Sequence, residues 1–271
     1  MLFPSEIFLF VFLPAFFLCY GLAPTRWKNL LLFGGSVAFY AYGALETPLY
    51  IVLLLVTIGV NWLVGLRLAP GRPRRKLWLI LGLIYDFFWL LLFKYAGFFF
   101  DNGAALWNFA TGDAVSRSWS LILPIGISFY TFQCLSYTID VYRGNAAVQY
   151  NPISFGAYVS LFPQLIAGPI VRYVDVAREL ESRTHSWEKI ALGLRRFIIG
   201  LAKKIIIADN FAVLMKLFRE SGEQSVLFFW MYAIAFTMNI YFDFSAYSDM
   251  AIGLGKIFGF HFIENFNYPY I

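Results

Sequence analysis

A succession of long apolar runs is the feature that most constrains how this chain can fold. Several of these runs approach the roughly 20 residues that a helix needs to cross a bilayer. Of the 271 residues, 60% are hydrophobic and 14% are charged, whereas a soluble domain usually carries about 25% charged residues. A water-soluble core could not bury so much apolar surface at this size. We therefore predict an all-α, polytopic membrane protein in contact with the lipid bilayer.

The apolar runs predict where the membrane spans lie. The first spans are expected at Ile7–Leu22, Leu30–Gly43, Leu49–Leu66 and Leu77–Phe93, with the fourth open to extension as far as Phe100. The polar segment Asp101–Ser118 is expected to be an external loop. The first run lacks the basic start and small-residue cleavage site of a signal peptide, so it is expected to be a retained membrane helix.

Basic residues between the spans predict the orientation of the chain. Five cations follow the third span with no acid among them: Arg67, Arg72, Arg74, Arg75 and Lys76. Arg26 and Lys28 lie two crossings earlier, and Glu46 lies in the loop between. The positive-inside rule places both basic loops in the cytoplasm and the N-terminus outside it. A nucleic-acid patch is the competing reading, and the flanking apolar spans argue against it.

The fourth span contains two charged residues, Asp86 and Lys94. Each charge would cost about 2.5–3.5 kcal/mol at the bilayer centre, so both are expected to face protein or water. Their spacing of eight residues is roughly two helical turns, which predicts that they share one face of the helix.

Two later apolar stretches contain helix-breaking residues. The stretch Trp119–Ile139 includes Pro124, and the stretch Tyr158–Val171 includes Pro163 and Pro169. Such residues are tolerated in a membrane where the segment packs on neighbouring helices or lines a cavity. We therefore predict broken or re-entrant helices in both stretches.

The last third of the chain alternates between polar and apolar segments. Residues Arg172–Trp187 are expected to form an amphipathic helix on the cytoplasmic surface. Lys189–Asp209 is expected to be an interfacial helix whose cations reach lipid headgroups, or else contact an anionic ligand. Ser225–Phe242 predicts another span, followed by the polar residues around Asp243 and a further apolar helix that ends near Phe260.

Residues typical of soluble catalytic sites are scarce. Cys19 and Cys134 lie in apolar runs, where they are expected to be small buried hydrophobes, and their setting predicts neither a disulfide framework nor a zinc site. His185 and His261 have no obvious neighbour in sequence that would orient an imidazole, so both are interpreted as structural or interfacial.

Several long motifs resemble one known family. They are Leu123–Gln133, Tyr137–Gly144, Phe162–Arg172, Tyr241–Gly255 and Glu264–Tyr270. In this order they are similar to the membrane-bound O-acyltransferase family, and most similar to its members that acetylate exported polysaccharides such as alginate. The resemblance extends over essentially the whole chain.

The resemblance implies a fold, an activity and a cellular location. The fold would be a ring of transmembrane and broken helices around a tunnel, with residues 1–271 forming the N-terminal part of a single membrane domain. An acetyl group would pass from acetyl-coenzyme A, or another acetyl carrier, across the bacterial cytoplasmic membrane. The recipient would be a polysaccharide hydroxyl or an extracytoplasmic acetyltransferase partner, and polysaccharide-export proteins are further expected partners. No bound cofactor, metal or nucleic acid is expected.

The family's catalytic histidine would lie beyond Ile271, so no residue here is assigned as catalytic and the piece alone is expected to be inactive. Six residues are predicted to line a tunnel: Ser128, Gln133, Gln164, Asp243, Ser245 and Asp249. For Asp243 and Asp249, helix breaking and bonding between helices remain equal alternatives. Five cations are predicted to bind the donor's phosphates, with lipid headgroups as the alternative: Arg172, Arg195, Arg196, Lys203 and Lys204.

Three other functions remain open at this point. A related family member could transfer D-alanyl groups to teichoic acid, with a carrier protein as the donor. A transporter would also use broken helices and buried carboxylates, and a membrane scaffold without catalysis would need neither donor nor base.

Overall fold

Helices account for all of the regular secondary structure in the residues that the computed structural model describes, which are 3–112, 121–165, 168 and 171–267. The predictions that fall on residues 113–120, on Pro169 and on the last three residues of the final motif lie outside these ranges. The helices are α1 (Leu13–Leu22), α2 (Lys28–Gly43), α3 (Leu49–Arg67), α4 (Arg75–Thr111), α5 (Ile127–Arg143), α6 (Pro152–Ser160), α7 (Phe162–Leu165), α8 (Tyr173–Glu181), α9 (Trp187–Ala202), α10 (Asp209–Ser221) and α11 (Val226–Ile257). Wider π-helical turns at Ile7–Phe12 and Lys203–Ala208 precede α1 and α10.

Three helices are long and apolar enough to cross a membrane, namely α3, α4 and α11, and Ile7–Leu22 forms a shorter apolar helix. Their outer surfaces carry large apolar side chains such as Phe109, which is 92% exposed, and Leu22, which is 78% exposed. Many large apolar side chains on the outside of helices of this length are typical of a surface in contact with lipid. The chain is thus an all-α, multi-pass membrane protein, as predicted.

Helix α4 is longer than the sequence predicted. It continues through residues 101–111 and ends only at Gly112, which adopts a φ of 77°. The expectation of an external loop from Asp101 is therefore wrong for this part of the segment. Polar side chains do not themselves stop a helix: Asn102 donates to the Phe98 carbonyl one turn earlier, within the helix.

The two charges in α4 do not share a face. Asp86 is buried and accepts a hydrogen bond of 2.8 Å from Asn61 of α3, whereas Lys94 is exposed. Eight residues correspond to two turns plus about 80° of rotation, which is enough to separate a protein-facing position from an outward one. The prediction that Asp86 faces protein is confirmed, and the prediction of a common face is wrong.

The basic connections lie together at one end of the helices, which we call the basic end. Arg75 donates to the carbonyls of Leu68 and Tyr142 at 2.8 and 2.9 Å, which joins the α3–α4 connection to the end of α5. Asn29 at the start of α2 donates to the Leu180 carbonyl at 2.8 Å, and the Tyr20 hydroxyl donates to the Phe258 carbonyl at 2.9 Å. The ends of α1, α8 and α11 therefore meet at the start of α2.

Both stretches that were predicted to be broken are broken. Helix α5 begins only after Gly126, where φ is 71° and an added Cβ would lie 2.5 Å from the Leu165 carbonyl oxygen. In the second stretch α6 ends at Ser160 and α7 is a single turn. Glycine is required at position 126 because both the backbone conformation and the contact exclude a side chain.

Helix α11 is a single uninterrupted helix, so the prediction of two helices separated near Asp243 is wrong. Helices α9 and α10 pack antiparallel to it. Gly193 faces Gly253 and Gly200 faces Ala246, and a Cβ added at either Gly193 or Gly253 would lie 2.6 Å from the other residue's carbonyl oxygen. Small residues at such contacts allow the backbones of membrane helices to approach closely.

The polar segment after α7 also differs from its prediction in one respect. Helix α8 is amphipathic, with Tyr173, Val176 and Leu180 buried, but it ends at Glu181 rather than near Trp187. Residues 182–186 run without helical structure to the start of α9. This short connection contains Arg183 and His185, which lie at the centre of the basic end.

Candidate functional site

Ion pairs join α9 to α11 along their contact. The Asp249 carboxylate lies 2.8 Å from the Arg196 guanidinium and 2.6 Å from the Lys203 ammonium group. Arg196 also pairs with Glu264 beyond the end of α11. One turn of helix further on, Lys204 lies 2.8 Å from both Asp243 and Asp209. We refer to Arg196, Lys203, Lys204, Asp243 and Asp249 as the hairpin ion-pair cluster.

The hairpin ion-pair cluster contains two sets of residues for which the sequence predicted different roles. Its cations were predicted to bind a donor or lipid headgroups, and its acids were predicted to line a tunnel or to break a helix. Each of the three cations contacts a carboxylate, so Asp243 and Asp249 take part in bonding between helices. Contact of these cations with a donor or with headgroups, and a tunnel-lining role for the two acids, stay predictions.

The two remaining predicted donor-binding cations are more available. Arg195 is exposed and has no ion pair among the described residues. Arg172 is 60% exposed and lies 3.7 Å from Asp175. An exposed pair of this kind contributes little to stability, so it leaves Arg172 free to exchange partners.

The other predicted tunnel residues lie mainly against α6 rather than beside the ion pairs. Gln164 is buried and donates to the Tyr158 carbonyl at 2.8 Å, and the Tyr158 hydroxyl lies 3.5 Å from the Gln133 carbonyl. Ser245 is buried on α11 and contacts the Phe242 carbonyl, whereas Ser128 is partly exposed. Within the described ranges, no hydrogen bond joins Gln133 or Gln164 to the hairpin ion-pair cluster.

Two buried amide oxygens in this region have no hydrogen-bond donor among the described residues. They are Oε1 of Gln133 and Oε1 of Gln164. Buried polar atoms are almost always paired with protein or with ordered water. These two oxygens therefore mark positions at which a water molecule or a hydroxyl group can donate a hydrogen bond.

His185 has partners that the sequence did not reveal. Its Nε2 lies 3.1 Å from the Tyr20 hydroxyl and its Nδ1 lies 3.4 Å from the Lys28 ammonium group. Because a lysine can only donate, Nδ1 accepts and Nε2–H donates, which corresponds to a neutral imidazole. Burial lowers the pKa of His185, and the charges of Lys28 and Arg183 lower it further. His261, by contrast, is exposed.

Arg183 is the second residue that sequence reasoning missed. Its Nε donates to the Tyr20 hydroxyl at 2.9 Å, and its Nη1 donates to Asn29 at 2.7 Å and to the Glu179 carbonyl at 2.9 Å. Its guanidinium also lies 4.8 Å from the centre of the Phe260 ring. The available signal was a polar Arg-Thr-His-Ser run between two amphipathic segments, but the partners lie more than 150 residues away for Tyr20 and Asn29.

The described residues include no group of three or more His, Cys, Asp or Glu side chains placed to hold a metal ion. Cys134 is buried, as predicted, whereas Cys19 is exposed on α1. An outward position on a membrane helix suits a small apolar side chain equally well, so the prediction of burial is wrong only for Cys19.

Comparison with known proteins assigns the second half of the chain. Residues 144–270, which include α6 to α11, match the sequence profile of MBOAT, the membrane-bound O-acyltransferase family. Over this segment the chain is similar to the membrane-bound O-acyltransferase family. The matched segment begins at the end of the second resembling motif and contains the third, the fourth and the fifth.

The similarity to curated members of this group extends over the whole chain. A probable alginate O-acetylase of Azotobacter vinelandii is 42% identical over 275 residues, covering 100% of this chain and 54% of that protein. A peptidoglycan O-acetyltransferase of Helicobacter pylori is 35% identical over 305 residues, covering 100% of this chain and 56% of that protein. The chain thus spans about half the length of these relatives.

A more distant similarity connects the chain to a D-alanyl transferase. The teichoic acid D-alanyltransferase of Bacillus subtilis is 29% identical over 160 residues, covering 56% of this chain and 40% of that protein.

Proposed function

We propose that this chain is part of a membrane O-acetyltransferase that acetylates hydroxyl groups of an exported polysaccharide. The observation that carries this proposal is the 42% identity to a probable alginate O-acetylase over the entire chain. The peptidoglycan O-acetyltransferase, which is also similar over the entire chain, shares O-acetylation but differs in its acceptor. The acceptor class is therefore a carbohydrate hydroxyl, with alginate as the first candidate.

The proposed donor is acetyl-coenzyme A or another cytoplasmic acetyl carrier, in which a thioester holds the acetyl group. Transfer breaks the bond between the acetyl carbon and sulfur and forms an ester bond to the hydroxyl oxygen. The hydroxyl proton ends on the released thiol. A base is needed to remove that proton, and the family resemblance assigns this role to no residue of this chain.

The residues of this chain would position helices and substrate rather than transfer the proton. The hairpin ion-pair cluster holds α9 against the part of α11 that carries the Tyr241–Gly255 motif. The unpaired oxygens of Gln133 and Gln164 offer acceptors to a hydroxyl group or to water in the interior. Together they support a polar path through the broken helices, as tunnel-lining roles require.

The proposal also includes an orientation. The basic end carries Arg26, Lys28 and the five cations from Arg67 to Lys76, so the positive-inside rule assigns it to the cytoplasm. The N-terminus would then lie outside the cytoplasm, in the bacterial cytoplasmic membrane. Extracytoplasmic acetyltransferases or polysaccharide-export proteins would act as partners on the opposite side.

Complementation tests the proposed activity. Because the piece alone is expected to be inactive, the complete gene that contains this coding sequence is expressed in an alginate-producing bacterium from which the resident alginate O-acetylase gene has been deleted. Acetyl esters on the secreted alginate are measured, together with the amount of the protein in the membrane. We expect acetylation to return; an unacetylated polymer despite normal membrane levels would overturn the alginate assignment. D-alanyl esters on teichoic acid in a matching host would favour the more distant relative's activity.

Donor binding by the predicted cations is tested best at Arg195. Substitution of Arg196 would also break its pair with Asp249, so a kinetic effect there would combine binding with folding. If Arg195 binds the donor, Arg195→Ala in the full-length protein raises the KM for the acetyl donor and leaves kcat unchanged. An unchanged donor KM would remove Arg195 from the donor site.

A further inference from the structure

A cavity of about 390 Å³ lies at the basic end, between α8, the connection 182–186 and the end of α11. Its charged lining consists of four cations and one carboxylate: Arg178, Arg183, Lys189, Lys256 and Glu179. Within the described residues, none of these four cations lies within ion-pair distance of a carboxylate. The lining therefore carries a net charge of +3 that the described protein leaves uncompensated.

The hairpin ion-pair cluster provides the contrast within the same molecule. In that cluster, each cation lies 2.8 Å or less from at least one carboxylate: Arg196, Lys203 and Lys204. At the cavity, four like charges line one space without such acids, and two of them, Arg178 and Lys189, are exposed to solvent. An anion in this space would reduce the mutual repulsion of the four charges.

One of the four cations is held rigidly. Arg183 is fixed by its hydrogen bonds to Tyr20, Asn29 and the Glu179 carbonyl and by the Phe260 ring, while its Nη2 has no partner among the described residues. Gly259, with a φ of 86°, allows the chain to pass so close that an added Cβ would lie 3.3 Å from the Arg183 side chain. A guanidinium fixed in advance loses little entropy when it binds an anion.

The other groups around the cavity supply further hydrogen-bond donors. Lys189 lies 2.6 Å from the Thr184 hydroxyl, and Ser182 and His261 also line the wall. The cavity is larger than a carboxylate needs, and Arg combined with Lys and hydroxyl groups is a common set of ligands for phosphate oxygens.

We propose that this cavity binds a phosphate group, carried either by an anionic phospholipid headgroup or by a soluble phosphate ester. The site is separate from the hairpin ion-pair cluster, and binding does not depend on acetyl transfer. Phosphate binding at this cavity can therefore be tested independently of the proposed enzymatic activity.

Binding of inorganic pyrophosphate to the purified protein tests the site. The protein is exchanged into an uncharged detergent and stripped of bound lipid, and the rise in its thermal midpoint is followed as pyrophosphate is added. The cavity variants are Lys189→Gln, Lys256→Gln and the double variant that combines them. The matched control is Lys216→Gln, an exposed lysine on α10 that lies outside the cavity.

We expect pyrophosphate to stabilise the wild type and Lys216→Gln at the same concentrations. Each cavity substitution should raise the concentration needed for half of the effect by about tenfold, because each removes a charge-assisted hydrogen bond. The proposal would be overturned if pyrophosphate did not stabilise the wild type. It would also be overturned if the wild type and the folded double variant needed the same pyrophosphate concentration for half of the effect.

Lipids added in mixed micelles distinguish the two sources of phosphate. The titration is repeated with mixed micelles of phosphatidylcholine alone and of phosphatidylcholine with phosphatidylglycerol. Displacement of pyrophosphate by phosphatidylglycerol supports a lipid headgroup as the natural ligand. Undiminished pyrophosphate binding in both lipids supports a soluble phosphate ester.

Discussion

At the scale of single residues, Asp249 shows how a carboxylate is accommodated in a membrane helix. It neither breaks α11 nor lies unpaired, because Arg196 of α9 and Lys203 of the following π-helical turn reach it across the helix contact. The pair is partly buried, with the Asp249 side chain 13% exposed. Removing one partner from such a pair leaves the other charge poorly solvated.

Asp249→Ala should therefore lower the free energy of unfolding by about 3 kcal/mol, since it leaves two cations without their shared acid. Unfolding in detergent, followed by helical circular dichroism, measures the change. Glu220→Gln is the control, because Glu220 pairs only with Lys216 at an exposed site on α10, and its loss should cost less than about 0.5 kcal/mol. Equal effects of the two substitutions would contradict this account.

His185 predicts a pH dependence at the basic end. Its folded pKa lies below the unfolded value of about 6.5, because burial and the charges of Lys28 and Arg183 oppose protonation. The unfolded chain therefore binds the proton first as the pH falls. Stability from this contact is complete above about pH 6.5 and decreases as the pH falls through that value.

The thermal midpoint, measured between about pH 8 and pH 5, tests this expectation. His185→Gln should flatten the part of the curve below about pH 6.5, because glutamine does not titrate. A curve of unchanged shape in His185→Gln would show that other groups cause the dependence.

At the scale of helices, close approach of α9 and α11 depends on residues without side chains. A Cβ at Gly253 would meet the Gly193 carbonyl oxygen at 2.6 Å and the Phe197 nitrogen at 2.8 Å. Both obstacles are backbone atoms, which cannot rotate away as a side chain can. The two helices would have to separate, which would lengthen the ion pairs of the hairpin cluster.

Gly253→Ala should accordingly destabilise the hairpin of α9, α10 and α11, by about 1–3 kcal/mol for an overpacked contact. The same substitution at Gly59 is the control, because that position in α3 has no atom within 4 Å of an added Cβ. Gly59→Ala should be neutral or stabilising by up to about 1 kcal/mol, since alanine favours the helix. The thermal midpoints of both variants in detergent check the difference, and equal destabilisation at the two positions would refute it.

At the scale of the whole molecule, charge is concentrated at the basic end. The α1–α2, α3–α4 and α8–α9 connections all lie there, whereas the loop that contains Glu46 lies at the opposite end of α2 and α3. Glu46 and Arg72 are both exposed, so they report on opposite faces of the membrane.

Cysteine labelling tests the orientation in intact cells. In a Cys19→Ser background, which leaves only the buried Cys134, Glu46→Cys should react with a membrane-impermeant maleimide from outside. Arg72→Cys should react only after the cells are lysed, because the positive-inside rule places the basic end in the cytoplasm. The reverse pattern would invert the proposed topology.

Patterns that are local in sequence gave correct predictions. The membrane class, the position of α3, and the broken helices in the stretches Trp119–Ile139 and Tyr158–Val171 follow from apolar length and backbone chemistry within short windows. The family motifs are similarly continuous. The same reasoning failed at residues 101–111, because polar composition was taken as the end of a helix that continues to Gly112.

The sequence by itself thus determined that this chain spans a membrane and where most of its apolar helices lie, because both depend on residues that are close along the chain. Only the tertiary structure decided the partners of its charges. Lys203 and Asp249 are 46 residues apart, and Tyr20 and Arg183 are 163 residues apart. Whether a cation is neutralised, as Arg196 is, or left for a ligand, as Arg183 is, depends on which helices pack together. Periodicity and composition do not encode that choice.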